Sequence, residues 1–409
     1  MKNQTLIAAI LGIFLITLSL LISCSGSDDD SGVSHPDDDT TDDDTKSDDS
    51  IDDDSVADDA GQNDDTILDD DTIFIFPKNI DLYGAISWVV VVDPHLPDLY
   101  FGGINQYSQQ NFGEIAQWPE CQLNDIWGSS PTDIYAIGIG ENLSTYNGFL
   151  AHYNGVRWTV TRYTEHGLSL DGIYGSSSID VYIVGHKFDS PYEIYHYDGS
   201  TMVIEKTGWL GSHLNAVWAS PTGFVIAVGY NNLGYLFVTK ENGVWRENTI
   251  FANIGGFSAV WGTLDDVVFA AGGELNPSSN SFKYYVFRYL GGNWEKMNAP
   301  EVESVNLYKI AGISSTDVYA IGFLTDENYS KGLLHYDGTS WTRTTIPAGE
   351  QDDNAYPGAL WVAAHDSVFV SIHIGLPYIY SKMLYFDGNF WYSLSQDKVI
   401  NALWGFVNP

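Results

Sequence analysis

Apolar and polar positions divide the chain into three stretches. Leu6 to Ile22 is almost wholly apolar, interrupted by Gly12, Thr17 and Ser19. Residues 25–72 contain no aromatic residue and few large aliphatics. From about residue 85 onward, apolar residues alternate with polar ones at period two, which predicts strands and rules out a helical solenoid. Turn formers punctuate the alternation at short intervals.

That third stretch repeats itself. One copy runs Leu123-Asn124-Asp125-Ile126-Trp127-Gly128, then a polar turn, then Asp133-Ile134-Tyr135-Ala136-Ile137-Gly138, and later His152-Tyr153-Asn154-Gly155 and Trp158. Further copies start near Leu170, Leu214, Phe257, Leu307 and Gly358. In each, a first anchor precedes a second by eight residues: Trp127 and Tyr135, Tyr174 and Tyr182, Trp218 and Ile226, Trp261 and Phe269, Ala311 and Tyr319, Trp361 and Phe369. Val92 and Tyr100 keep that spacing in a shorter copy over 85–122. Each unit predicts four antiparallel strands. The hairpin between the third and fourth is Asn154-Gly155, Asp198-Gly199, Asn242-Gly243, Asp337-Gly338 or Asp387-Gly388, with Gly291-Gly292 in the remaining copy; Asn-Gly and Asp-Gly suit turns that need positive φ.

Strand-rich repeats of this length predict an all-β propeller, one small sheet per repeat. The count is about seven blades, with six or eight as alternatives. Asn401-Ala402-Leu403-Trp404-Gly405-Phe406 is a first strand with no second behind it. It therefore predicts ring closure, completing an N-terminal blade built from Pro97 onward; the competing reading gives residues 85–93 that role. Closure removes open sheet edges. The repeat resembles bacterial β-propellers of the kelch-like and Asp-box-like kind found in surface lipoproteins. Its hairpins lack the Ser/Thr two residues before the Asp that an Asp-box carries. The resemblance speaks to fold and leaves function to the site.

The N-terminus reads as an address. Lys2 opens a short positive region before the apolar run, which is too short for a spanning helix at ~20 residues and fits a signal segment. Leu21-Ile22-Ser23-Cys24 resembles the bacterial lipobox. The resemblance implies cleavage before Cys24 and acylation there. The domain reading is a signal peptide over 1–23, a lipid-anchored, disordered Asp-rich tether over 24–72, and a propeller over 73–409. The expected location is the bacterial cell envelope, as an outer-membrane lipoprotein, with display on the cell surface a further option through the Ser27-Asp28-Asp29-Asp30 export-like run.

Charge sharpens this. The formal net charge is −37, and 21 of the 54 acidic residues are Asp between Asp28 and Asp71. Such a segment buries too little apolar surface to offset chain entropy. Like charges extend it, so its 48 residues span roughly 40 Å as a neutral coil and about 160 Å at full stretch. Runs of Asp-Asp-Asp-Thr lack the alternation and the Gly of a tight calcium loop, so a solvated spacer is the stronger reading. No basic cluster occurs, which excludes nucleic acid as a partner. With Cys24 acylated, Cys121 has no disulfide partner and reads as a small residue packed at a strand start.

Within the ring, the turns joining first to second and third to fourth strands are short and alike. The other connections diverge, which suggests a scaffold face and a partner face. His152, His196 and His335 recur in one repeat slot and read as structural; His186, His365 and His373 lack metal-ligand spacing. The arginines read as strand positions, so an arginine cluster for a carboxylate is missing. The candidate partner-binding residues are Tyr146, Tyr163, Asp189, Tyr230, Glu274, Asp326, Tyr329, Asp353 and Tyr378. No catalytic residue, metal or cofactor is expected. The expected function is a non-enzymatic module, monomeric, binding a protein or glycan. The alternative is a carbohydrate-active hydrolase or lyase with an acidic pair on the same face.

Overall fold

The computed structural model describes residues 79–408, apart from 91–98, 109–111, 143–144, 166, 253, 280, 300–301, 303–304, 325–330, 348–355 and 375–379. The signal segment, Cys24 and the acidic tether lie outside the described residues. Among those described there is no helix. Twenty-eight strands form seven four-stranded antiparallel sheets. Within each blade the first strand is innermost: Val399–Val407 in blade 1, then Cys121–Ser130, Leu168–Ser177, His213–Ala219, Gly255–Gly262, Val305–Ser314 and Tyr356–Ala364 in blades 2 to 7. Each first strand touches the first strands of both neighbouring blades, so the ring is closed.

Closure comes from the C-terminal strand, as its orphaned pattern predicts. The N-terminal blade differs from expectation in one respect. Ile80–Val90 pairs with Val399–Val407, and Leu99–Tyr107 is the third strand of that blade, following Ile80–Val90. The eight-residue spacing of Val92 and Tyr100 therefore spans the wrong connection. The corresponding anchors are Trp404 and Tyr83, which face each other across the closing strand pair. Elsewhere the spacing is literal: Trp127 pairs with Tyr135, Tyr174 with Tyr182 and Trp361 with Phe369.

Every first strand carries a one-residue bulge at the same place: Asn401, Asn124, Asp171, Asn215, Ser258, Tyr308 and Gly358 in blades 1 to 7. A bulge re-aims its side chain, and here several reach the next blade. Asn401 Nδ2 donates to Leu123 O at 2.7 Å, Asn124 Nδ2 to Leu170 O at 2.8 Å, Asn215 Nδ2 to Phe257 O at 2.6 Å and Ser258 Oγ to Leu307 O at 2.8 Å. Gly358 has no side chain. His373 fills its place: a Cβ on Gly358 would lie 2.1 Å from His373 Nε2, and that nitrogen reaches Ile400 O at 2.8 Å. A belt of hydrogen bonds thus links five of the seven blade junctions among the described residues.

Below the belt, blade faces match by size. Trp127 packs over Gly175, Trp218 over Gly262, Trp261 over Gly312 and Trp361 over Gly405, each Gly lying in the following blade. A Cβ on any of these glycines would meet the indole at 2.6–3.0 Å. Where the aromatic shrinks, its partner grows. Tyr174 packs against the cluster holding Ala219, and Ala311 against the cluster holding Val362.

The outer hairpins divide into two kinds. Gly291 and Gly292 both have positive φ, as do Asn242 and Gly243, so in these two blades both central residues are left-handed. In the Asn154, Asp198, Asp337 and Asp387 hairpins only the Gly is left-handed. There the preceding side chain accepts the backbone N–H groups two and three residues on, for example Asp198 Oδ1 from Ser200 and Thr201 at 2.8 Å. These are Asx turns. The donors hold the Asp198, Asp337 and Asp387 carboxyls below the usual range; at Asp387 they do so against burial. Cys121 sits fully buried at the start of its strand, with Sγ 3.6 Å from Trp118 O.

Candidate functional site

Repeats make functional departures visible, because six sister blades show what structure alone requires. The recurrent His–Asp pairs are scaffold by that measure. His152 Nε2 lies 2.7 Å from Asp133 Oδ1, His196 Nε2 2.9 Å from Asp180 Oδ1, and His335 Nε2 2.8 Å from Asp317 Oδ1. Each imidazole packs on the Tyr two residues after its Asp; His152 stacks on Tyr135 at 4.1 Å and 5°. In blades 2 and 3 a serine four residues before the Asp donates to its other oxygen. Ser, Asp and His adjoin, but the serine donates to the carboxylate and not to imidazole, so no nucleophile is activated.

The belt departs from its pattern at Asp171. A carboxylate cannot donate to the next blade's carbonyl. Asp171 instead accepts from Ser169 Oγ at 2.6 Å and holds His186 Nδ1 at 2.7 Å. The His186 ring meets His213 edge to face at 5.4 Å, and His213 stacks on Tyr230 at 5.0 Å. These residues come from the starts of two adjacent first strands and the ends of the second strands beside them. They therefore share one end of blades 3 and 4, on the divergent loop face. Burial lowers both imidazoles' affinity for a proton. At His186 the hydrogen bond and charge of Asp171 outweigh burial and hold it above the ordinary range. His213 stays below the ordinary range through burial and the neighbouring His186. Burial also raises Tyr230. Two adjacent imidazoles are thus pushed apart in proton affinity, His186 upward by Asp171 and His213 downward by burial.

At the same end of blade 4, a loop, a turn and a strand end expose large apolar side chains. Leu210 is 70% exposed, Phe251 79% and Leu233 49%, with Trp209 beside them. They belong to adjoining segments: a Cβ on Gly211 would lie 2.7 Å from Asn232 Nδ2, and Ala252 N donates to Leu233 O at 3.0 Å. The Trp209 indole N–H is fixed on Glu247, which also accepts from Tyr192 OH at 2.6 Å.

A second feature lies on the ring axis. A cavity of about 710 Å³ is lined by Trp127, Tyr174, Trp218, Trp261, Trp361 and Trp404. Neighbouring rings stand 6.1–6.3 Å apart where Trp404, Trp127, Tyr174 and Trp218 follow one another. The position after the bulge is Gly or Ala in five blades, namely Gly172, Ala216, Ala259, Ala359 and Ala402. In blades 2 and 6 it is Asp125 and Lys309, both lining the cavity. Asp125 Oδ2 accepts from Ile173 N of the next blade at 3.0 Å. Burial raises its carboxyl, against the pull of Lys309 and two backbone N–H groups.

The sequence-derived candidates scatter. Tyr230 joins the imidazole cluster. Tyr163 ends the fourth strand of blade 2 and packs against a core cluster, where burial pushes its hydroxyl up to about 12. Tyr146 lies in the third strand of blade 2, paired with Glu141. Asp189 is an exposed turn residue with positive φ. Glu274 lies in a strand and pairs with Lys296 at 3.0 Å. Asp326, Tyr329, Asp353 and Tyr378 lie outside the described residues. Asp171, His186 and His213 were missed as a group. The signal that could have found them is the Asp at a position held by Asn or Ser in four of the other six blades.

No family model matches the chain, and no curated relative does. Among solved structures it is similar to the BP39L lectin from Burkholderia pseudomallei (9% identity, 73% of this chain and 95% of that one, TM-score 0.52). It is also similar to a putative 6-phosphogluconolactonase from Bacteroides uniformis (11% identity, 81% and 100%, TM-score 0.50). At such identities the likeness concerns the fold alone.

Proposed function

We propose that this chain is a lipid-anchored envelope protein whose propeller binds a protein partner without catalysis, through the loop face of blades 3 and 4. The observation that carries the reading is the exposure of Trp209, Leu210, Leu233 and Phe251 on adjoining segments at one end of blade 4. Single exposed apolar residues are ordinary, whereas a contiguous group rimmed by polar side chains marks an interaction surface. Leu210, Leu233 and Phe251 offer a glycan no hydrogen bonds, which favours a protein. Protein interfaces combine such an apolar centre with a polar rim. Asp171, His186, His213 and Glu247 would provide that rim. The break in the belt at Asp171 supports the same location, because there a structural hydrogen bond gives way to a half-buried polar cluster at the loop face. Acylation at Cys24 and the Asp-rich spacer would hold the module at a membrane and lift it from the lipid surface.

The test is site-specific photo-crosslinking in intact cells. A photoreactive residue at position 210 should trap one discrete protein species. The same residue at position 179, an exposed position in a first-to-second strand turn of blade 3, should trap none. Equal yields at both positions, or no adduct at 210, would overturn the assignment.

A further inference from the structure

The third His–Asp pair departs from its sisters in a way that changes its chemistry. In blades 2 and 3 the second carboxylate oxygen is taken by Ser129 or Ser176. In blade 6 the equivalent residue is Ile313, which cannot donate. The oxygen is met instead by a second imidazole from the next blade: His365 Nδ1 lies 2.8 Å from Asp317 Oδ2, while His335 Nε2 lies 2.8 Å from Oδ1. His365 occupies the slot that is Ser178 in blade 3. The two imidazole rings stand 5.5 Å apart. The three donor atoms all lie within 4.8 Å of one another.

We propose that Asp317, His335 and His365 form a binding site for a divalent transition metal of the zinc class, bridging blades 6 and 7. Two imidazole nitrogens and one carboxylate suit zinc and disfavour calcium or magnesium, which prefer all-oxygen shells. Bonds of about 2.0–2.2 Å set tetrahedral ligand atoms roughly 3.3 Å apart. The two 2.8 Å nitrogen–oxygen separations need a small spreading, and the two imidazole nitrogens, within 4.8 Å of each other, close on the metal from either side of the carboxylate. His335 is held in place by stacking on Tyr319 at 4.3 Å. The adjustment falls to His365, whose side chain is 61% exposed. On binding, the metal displaces the proton from each nitrogen that faces Asp317, and each ring is left a neutral imidazole with its proton on the other nitrogen; for His365 that is Nε2, 3.2 Å from Asp366 Oδ2. The exposed side of His365 leaves a fourth position for water or for a side chain of a partner.

The experiment uses the full chain, stripped with chelator and titrated with Co2+ and then Zn2+. The wild type should bind one Co2+ with the intense visible band of a four-coordinate site, and Zn2+ should displace it. His365→Ala removes an exposed ligand and should lose that band, with affinity falling at least about 100-fold. His335→Gln should do the same, whereas His152→Ala, at the sister pair without a second imidazole, should keep the band. Binding by the Asp tract would be common to all four proteins and six-coordinate, without the intense band. Absence of the band in the wild type, or its persistence in His365→Ala, would overturn the proposal.

Discussion

Trp361 lies flat against Gly405: a Cβ on that glycine would stand 2.8 Å from Cη2 and Cζ2 of the indole. The contact joins the last complete blade to the strand that closes the ring. Gly405→Ala is therefore expected to destabilise by about 1–3 kcal/mol, the usual cost of overpacking. Trp361→Tyr in the same chain should recover much of the loss, because the protein itself combines Tyr174 with Ala219 at another junction. A double-mutant cycle read by urea denaturation checks this; strictly additive effects would count against size matching across the junction.

His373 replaces a missing belt side chain, and burial pushes its imidazole down to about 4 from an ordinary 6.5. Between those values the unfolded chain holds a proton that the folded chain refuses. The contribution is fully present above about pH 6.5, falls as the pH drops toward 4, and is exhausted below it. The gap corresponds to roughly 3 kcal/mol. His373→Gln keeps a donor at similar reach but does not titrate, so it should lose less stability than the wild type between pH 7 and 4. Denaturation midpoints across that range decide the matter; parallel losses would show that His373 is not the responsible group.

Asp171 holds His186 above its ordinary range. Asp171→Asn removes the charge and can restore a belt donor toward blade 4. The His186 titration should then move down, toward or below the ordinary value, and stability near neutral pH should hold or rise. Imidazole proton shifts followed by NMR measure both changes. A His186 titration that does not move would place its proton partner elsewhere.

Cys24→Ala should abolish acylation and release the protein from membranes into the aqueous phase of a detergent partition. The folded domain, read by tryptophan fluorescence, should be unchanged. Labelled palmitate incorporated equally by the variant would exclude Cys24 as the attachment point.

Much of the architecture was legible because a propeller is local. The eight-residue spacing of Trp127 and Tyr135 became a direct cross-strand pair, since a short turn and one bulge fix the register within a blade. The Asp-Gly hairpins and the orphaned first strand at Trp404 were likewise readable, each from a dozen residues or fewer. The misreading at Val92 and Tyr100 arose where that locality fails, in the one blade assembled from both ends of the described ring. Tertiary structure alone decided what the blades do to one another. It put His365 on Asp317 across 48 residues, His186 against His213, Trp361 over Gly405 and His373 into the space left by Gly358. These contacts join neighbouring repeats, where spacing carries no phase information. What the sequence did hold was each departure from the repeat: Asp171 for Asn, Ile313 for Ser, Gly358 for a donor. Packing of one blade against the next turns such departures into sites, because the neighbour supplies the partner that its own repeat lacks.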